Sequence, residues 1–217
     1  MNFEQARFNM IEKQIRTWEV LDQDTLGLLA RVHREDFIPD EYKKLALSDI
    51  NIPLAHNQVT MTPKLEARLM QGLKIGKTEK ILEIGTGCGY LTALLAASGG
   101  VVHSVDIYED FPQQAQPRFT KYGFDNIRLY TGDALSGWPQ AAPYDIIVVT
   151  GSVPVLDGVF QQQLNLNGRL FVIVGKSPVM EARIITRVGE AEFSSESLFE
   201  TDLPPLVGVH TGPVFKF

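Results

Sequence analysis

Residues 80–97, KILEIGTGCGYLTALLAA, constrain the fold more than any other stretch of the chain. An apolar run at 81–84, broken only by Glu83, leads into Gly85, Gly87 and Gly89, and then into Leu91, Leu94 and Leu95 at helical spacing. That is a strand, a tight turn and a helix. Glycine lets the turn close without a Cβ and lets a ligand approach the main chain, while the helix start offers free N–H groups. Strand and helix signals continue downstream: strand 101–105, helix 111–122, strand 127–130, strand 144–149, helix 156–164 and strand 169–174. Short connections between such elements predict right-handed crossovers and a Rossmann-like α/β fold, a mostly parallel sheet with helices on both faces. Residues 182–188 and 193–199 alternate apolar and polar side chains, which predicts two antiparallel strands at the sheet's end. Beyond Asp202, the prolines at 204, 205 and 213 predict irregular chain.

The N-terminal third reads as helical cover. Phe8, Ile11, Ile15 and Trp18 predict one buried face of a helix over 3–18, with Arg7, Glu12, Lys13 and Arg16 on the other. A second helix should open at Asp22 or Asp24 as N-cap and run through Leu26, Leu29 and Ala30. A short helix is expected at 41–46. After a polar loop at 55–62, Thr62 and Pro63 suit the N-cap and first turn of a helix whose stripe is Leu65, Leu69, Met70 and Leu73, closed by Gly76. The division expected is one domain over 1–217, with 1–75 lying over an α/β core at 76–217.

Charge and composition narrow the function. A net charge of −6 argues against a protein that grips nucleic acid through a basic face. One cysteine, with histidines only at 33, 56, 103 and 210, leaves no disulfide framework and no zinc-ligand cluster. No apolar run is long enough to span a bilayer and the first residues lack a leader's pattern, so a cytoplasmic setting without membrane partners is expected.

In an open parallel sheet the ligand sits beyond the carboxyl ends of the strands, where strand order reverses. Just past the predicted strands stand the three glycines, then Asp106, then Gly132, Asp133 and Ala134, then Thr150, Gly151 and Ser152. Asp106 lies 21 positions beyond Gly85, close to the spacing of about 20 at which an acid meets ribose hydroxyls. The combination points to an adenosine-containing ligand. The glycines are spaced E-x-G-x-G-x-G, whereas a dinucleotide site usually has G-x-G-x-x-G. A carboxylate at the strand's end repels a diphosphate and suits an amine or sulfonium, which points to S-adenosyl-L-methionine.

LEIGTGCGYLTA at 82–93 resembles the first motif of the protein-L-isoaspartate O-methyltransferases, class I S-adenosylmethionine-dependent enzymes of protein repair. MIEKQIR at 10–16, REDFIPDEY at 34–42, TGD at 131–133, GW at 137–138, APYD at 142–145, NGRL at 167–170 and PPL at 204–206 are similar to that family's pattern in order and spacing. The resemblance implies cofactor contacts at Glu83, Gly85, Thr86, Gly87, Gly89 and Tyr90 around the methionine end, Asp106 with Ile107 at the ribose, and Asp133 with Ala134 at the adenine. It also implies that the loop before Pro63 lies over the cofactor's methyl group. There the family has G-Q-T-I-S-x-P, whose serine is associated with activity, and this chain has NQVTMTP at 57–63. Met61 falls at the serine's place between Thr60 and Thr62, so these three are the catalytic candidates. Thr60 is the freer hydroxyl, Thr62 being explained as a cap.

Three readings follow. The first is methyl transfer to a carboxylate, the isoaspartyl residue of a protein or peptide substrate. The second keeps the transferase and changes the acceptor, because of Met61 and of 150–152, where the family tends to have alanines. The third is an S-adenosylmethionine-binding protein without turnover; a nicotinamide oxidoreductase is the remote alternative. Cys88, beside a helix start, is a candidate for a lowered pKa but fits better as a small turn residue. His56 is a weak candidate for substrate contact, Trp138 is expected to pack, and a monomer is the working expectation for an oligomeric state that the sequence does not fix.

Overall fold

The computed structural model describes residues 2–209; His210 and Pro213 lie outside it. Seven strands, β1 (Ile81–Ile84), β2 (Val102–Asp106), β3 (Ile127–Thr131), β4 (Tyr144–Val153), β5 (Leu164–Lys176), β6 (Val179–Arg187) and β7 (Phe193–Thr201), form one sheet in the order β3-β2-β1-β4-β5-β6-β7. β1 to β5 run parallel, and β6 and β7 are antiparallel, as the alternation at the end of the chain predicts. Strand order reverses between β1 and β4, so the crevice at their carboxyl ends is the switch point.

The inner strands are apolar on both sides because both sides are covered. Ile81, Ile146, Val148, Phe171 and Ile173 face one core, and Leu82, Ile84, Ile147, Val149, Leu170 and Val172 face the other. Truncating one such side chain to alanine costs about 2–5 kcal/mol. The first core is roofed by α2 (Gln23–Arg31), α3 (Pro63–Leu73), α4 (Tyr90–Ser98) and α5 (Asp110–Tyr122). α2 opens at Asp22, whose side chain accepts from the N–H of Thr25, and α3 at Thr62, whose hydroxyl accepts from the N–H of Leu65 with Pro63 next in line. α3 ends two residues before Gly76, at Lys74 in the left-handed region.

Two expectations need correction. The helix over 3–18 is not regular: α1 (Phe3–Asn9) passes into a π-helical stretch (Met10–Ile15) and a 3₁₀ turn (Arg16–Trp18). The wider π turn rotates the stripe, so Met10, Ile11 and Ile15 are buried while Phe8 and Trp18 stay exposed. Arg7, assigned to the solvated face, instead pairs with Glu35. The predicted helix at 156–164 is absent. Gly158 adopts φ +91° and Asp157 accepts from the N–H of Val159, so the chain turns, and a 3₁₀ turn at Gln161–Gln163 leads directly into β5. With the 3₁₀ turn at Pro139–Ala141 it covers the second core, where Trp138 and Phe160 pack.

Candidate active site

The turn after β1 is held from three sides. Gly85 has φ +99° and donates its N–H to the carbonyl of Val105, while Thr150 on β4 donates its hydroxyl to the carbonyl of Ile84 at 2.8 Å. A Cβ on Gly85 would lie 2.1 Å from Thr150 Oγ1, so only glycine fits. The N–H of Gly87 donates to Asp106 Oδ2 at 2.9 Å, and the N–H of Tyr108 to Oδ1 at 3.0 Å. Burial pushes the Asp106 carboxyl above its ordinary pKa, against the pull of those amides. The Asp133 carboxylate similarly accepts from the N–H of Leu135, with Ala134 buried between them.

Together these strand ends line one cavity. Its floor is Gly85, Thr86, Gly87 and Cys88, its far wall Asp106, Ile107 and Tyr108, and its end Gly132, Asp133 and Ala134. Thr60 and Met61 of the loop before α3 close the near side, and Leu203, Pro204 and Leu206 pass over it. The C-terminal segment is tied there through Ser152, which accepts from the N–H of Leu206 and donates its hydroxyl to the carbonyl of Leu203. Thr150, Gly151 and Ser152 have structural roles: Thr150 pins the glycine turn, a Cβ on Gly151 would strike Leu206 at 2.9 Å, and Ser152 anchors the tail, while Thr150 and Gly151 also line the cavity.

Other expected site residues stand elsewhere. Glu83 does not reach the cavity; it is fully buried under the turn, its Oε2 accepting from the hydroxyls of Thr92 and Ser104 at 2.5 and 2.6 Å. Burial pushes its carboxyl up to about 8. Tyr90 points into the first core against Phe37. Gly89 packs beneath α5, where a Cβ would meet Ala115 at 2.8 Å. Thr62 caps α3 and does not line the cavity. His56 does have partners: its ring stacks on Tyr108 at 4.0 Å and its Nε2 lies 2.9 Å from Asp110 Oδ1. The Cys88 thiol is pushed up by burial, opposite to the shift that a helix start would give. Trp138 packs against Tyr130.

Sequence reasoning missed Arg34 and Glu66. Both are buried: Arg34 donates from Nε to Glu66 Oε2 at 3.0 Å, from Nη1 to the carbonyl of Ala46, and from Nη2 to Thr60 Oγ1 at 3.0 Å and the carbonyl of Met61 at 2.7 Å. The pair fixes the backbone at 60–61. A signal existed, since Glu66 sits four residues before Met70 and seven before Leu73, on the apolar stripe of α3. Its partner, 32 residues away, carries no local signal.

The donor set suits S-adenosylmethionine. Among the described residues the cavity carries three carboxylates, Glu66, Asp106 and Asp133, and no lysine, arginine or histidine. Such a lining repels a diphosphate and accepts hydroxyls, amines and a sulfonium. A Rossmann-like sheet with this crevice at its switch point has the architecture of the class I methyltransferases. A profile of the family described as protein-L-isoaspartate(D-aspartate) O-methyltransferase (PCMT) matches residues 5–210. The chain belongs to that family, whose members are S-adenosylmethionine-dependent methyltransferases. It is 34% identical to a protein-L-isoaspartate O-methyltransferase of Brucella anthropi over 98% of each chain. It is also 34% identical to protein-L-isoaspartate O-methyltransferase 2 of Pelobacter propionicus, over 95% of this chain and 92% of that one. A solved protein-L-isoaspartate O-methyltransferase superposes with a TM-score of 0.79 at 23% identity, covering 93% of this chain, which spans 66% of that structure's length. A Plasmodium falciparum structure in complex with S-adenosyl-L-homocysteine superposes with a TM-score of 0.76 at 17% identity, over 95% of this chain and 98% of that one. These two structures bear on the fold alone.

Proposed function

We propose that this protein transfers the methyl group of S-adenosylmethionine to the side-chain carboxylate of L-isoaspartyl residues in damaged proteins, acting in the cytoplasm as one methyltransferase unit over 1–217. The observation that carries the reading is the switch-point cavity with three carboxylates and no basic side chain among the described residues. Family membership supplies the acceptor class. When bound, the cofactor supplies an electrophilic methyl on a sulfonium. In this reading Asp106 accepts from the ribose hydroxyls, Asp133 and Ala134 meet the adenine, and the main chain at 85–87 runs along the methionine end. Ile107, beside Asp106, adds an apolar wall.

An acceptor carboxylate with a pKa near 4 is ionised at neutral pH, so no general base is required. What the protein must do is hold the carboxylate in line and keep water away. Thr60 suits the first task. Its oxygen accepts from Arg34 and from the N–H of Ile52, which leaves its own proton to donate, and the residue lines the cavity. Met61, buried at the same wall where the family has serine, contributes apolar surface that excludes water.

The deciding experiment incubates the purified protein with methyl-labelled cofactor and a peptide pair that differs only in isoaspartyl against aspartyl. Base-labile ester on the isoaspartyl peptide alone is expected; equal labelling, or none, overturns the reading. Met61 is the specific observation favouring a different acceptor, and labelling of another carboxylate in place of the isoaspartyl peptide would establish that second reading.

A further inference from the structure

An amino-acid cofactor brings a positive α-ammonium into the cavity, and something must face it. The glutamate in the glycine motif is the obvious choice from sequence, but Glu83 is fully buried, its Oε2 holds two hydroxyls, and its Oε1 is sealed without a partner. Of the three carboxylates on the cavity, Asp106 stands at the tip of β2 and Asp133 past β3, progressively farther from the switch point in the order β3-β2-β1-β4. Asp106, which already holds the amides of Gly87 and Tyr108, has its remaining acceptor sites committed to the ribose hydroxyls in the proposed reading. The third carboxylate comes from another direction, from the first turns of α3.

Glu66 is 2% exposed, yet it lines the cavity. Arg34 fixes one oxygen, Oε2, and packs its guanidinium 5.6 Å from the Tyr90 ring. The other oxygen, Oε1, has no hydrogen-bond partner among the described residues, and the residue lines the cavity. The titratable and charged groups that act electrostatically on Glu66 are Arg34, Asp49 before α3, Cys88 in the glycine turn, Tyr90 at the start of α4, and Glu83 on β1. Cys88 lies in the glycine turn and Glu83 two residues before it, so Glu66 stands at the β1 end of the cavity, where a ligand with its adenine beyond β3 puts its far end. We propose that Glu66, and not Glu83, is the carboxylate that receives the α-ammonium of the cofactor's methionine moiety, with Arg34 holding it in position.

The arrangement has a physical rationale. A buried carboxylate is costly unless its charge is met. Arg34 meets part of it, and burial still pushes Glu66 up to about 7, the Arg34 charge pulling the other way. A second cation at Oε1 would meet the rest of that charge and favour the ionised form.

This inference rests on S-adenosylmethionine being the cofactor, and the test separates the two. Calorimetry would measure binding of S-adenosylhomocysteine and of its analogue lacking the α-amino group to the wild type, Glu66→Gln and Glu83→Gln. Failure of both ligands to bind the wild type would reject the cofactor reading itself. If they bind, Glu66→Gln should weaken the amine ligand by about 10- to 100-fold, while the deaminated ligand changes less than about threefold, within the scatter of a lost neutral contact. Glu83→Gln should make no such distinction. Equal losses for the two ligands in Glu66→Gln, no loss, or an amine-specific loss in Glu83→Gln would overturn the proposal. Should Glu66→Gln fail to fold, Glu66→Asp, which keeps the charge that Arg34 pairs with, takes its place: a loss confined to the amine ligand is expected, and equal losses for the two ligands, or none, would reject the assignment.

Discussion

The N–H of Gly87 donates to Asp106 Oδ2 across 2.9 Å, so the turn after β1 and the acid at the tip of β2 act as one unit. Asp106→Asn would set an amide NH₂ against one of the two N–H groups that Asp106 now satisfies. Leaving a buried donor unpaired costs about 1–3 kcal/mol. S-Adenosylhomocysteine should bind at least about tenfold more weakly to this variant, with a lowered midpoint of thermal unfolding. Unchanged affinity would remove Asp106 from the cofactor site.

Gly85→Ala should be harmful for two separable reasons. The new Cβ would sit 2.1 Å from Thr150 Oγ1, and the residue would be held at φ +99°. The backbone alone costs roughly 1–2 kcal/mol for an L-residue. Thr150→Ala in the same chain removes the clash and leaves the strain, so denaturant unfolding should show partial, not full, recovery. Full recovery would show that φ imposes no cost at this position.

Glu83 makes stability depend on pH in a definite direction. Its folded pKa, about 8, stands above its ordinary value of 4.5. Between those values the folded state keeps a proton that the unfolded state has lost, so stability is fully present below about 4.5 and falls as pH rises towards 8. Glu83→Gln imitates the protonated form and removes the dependence. Urea unfolding at pH 6 and pH 8.5 should therefore show the variant gaining on the wild type at the higher pH; a constant difference would mean that Glu83 is ionised throughout.

Thr60 and Met61 divide orientation from exclusion. Thr60→Val leaves Arg34 and the N–H of Ile52 without their shared acceptor. A stability loss of about 1–3 kcal/mol should come with a fall in kcat for the isoaspartyl peptide. Met61→Ser puts a hydroxyl on the cavity wall beside Thr60. A new bond to a carboxylate is worth about 1.5–3 kcal/mol, or roughly 10- to 100-fold in rate if made only in the transition state. Steady-state kinetics showing kcat unchanged in Met61→Ser would mean that no acceptor oxygen comes near this position.

The sequence by itself determined whatever is encoded in contiguous residues. β1, the glycine turn and α4 were legible because an apolar run, three glycines and a helical stripe follow one another, and the caps at Asp22 and Thr62 because a cap is a contact three residues long. The antiparallel pair β6–β7 was legible from its alternation. Where local conformation departed from the regular period, the reading failed: the π-helical stretch at Met10–Ile15 turned Phe8 and Trp18 outward, and the positive φ of Gly158 replaced a helix with a turn. Tertiary structure alone decided which acids face the ligand. Glu83 stands in the motif and is buried beneath it, while Glu66 lies outside the motif and lines the cavity. The reason is geometric. Strand alternation sends Glu83 to the side of the sheet covered by α4, and only the packing of α3 against Arg34, 32 positions earlier in the chain, brings Glu66 to the glycine turn.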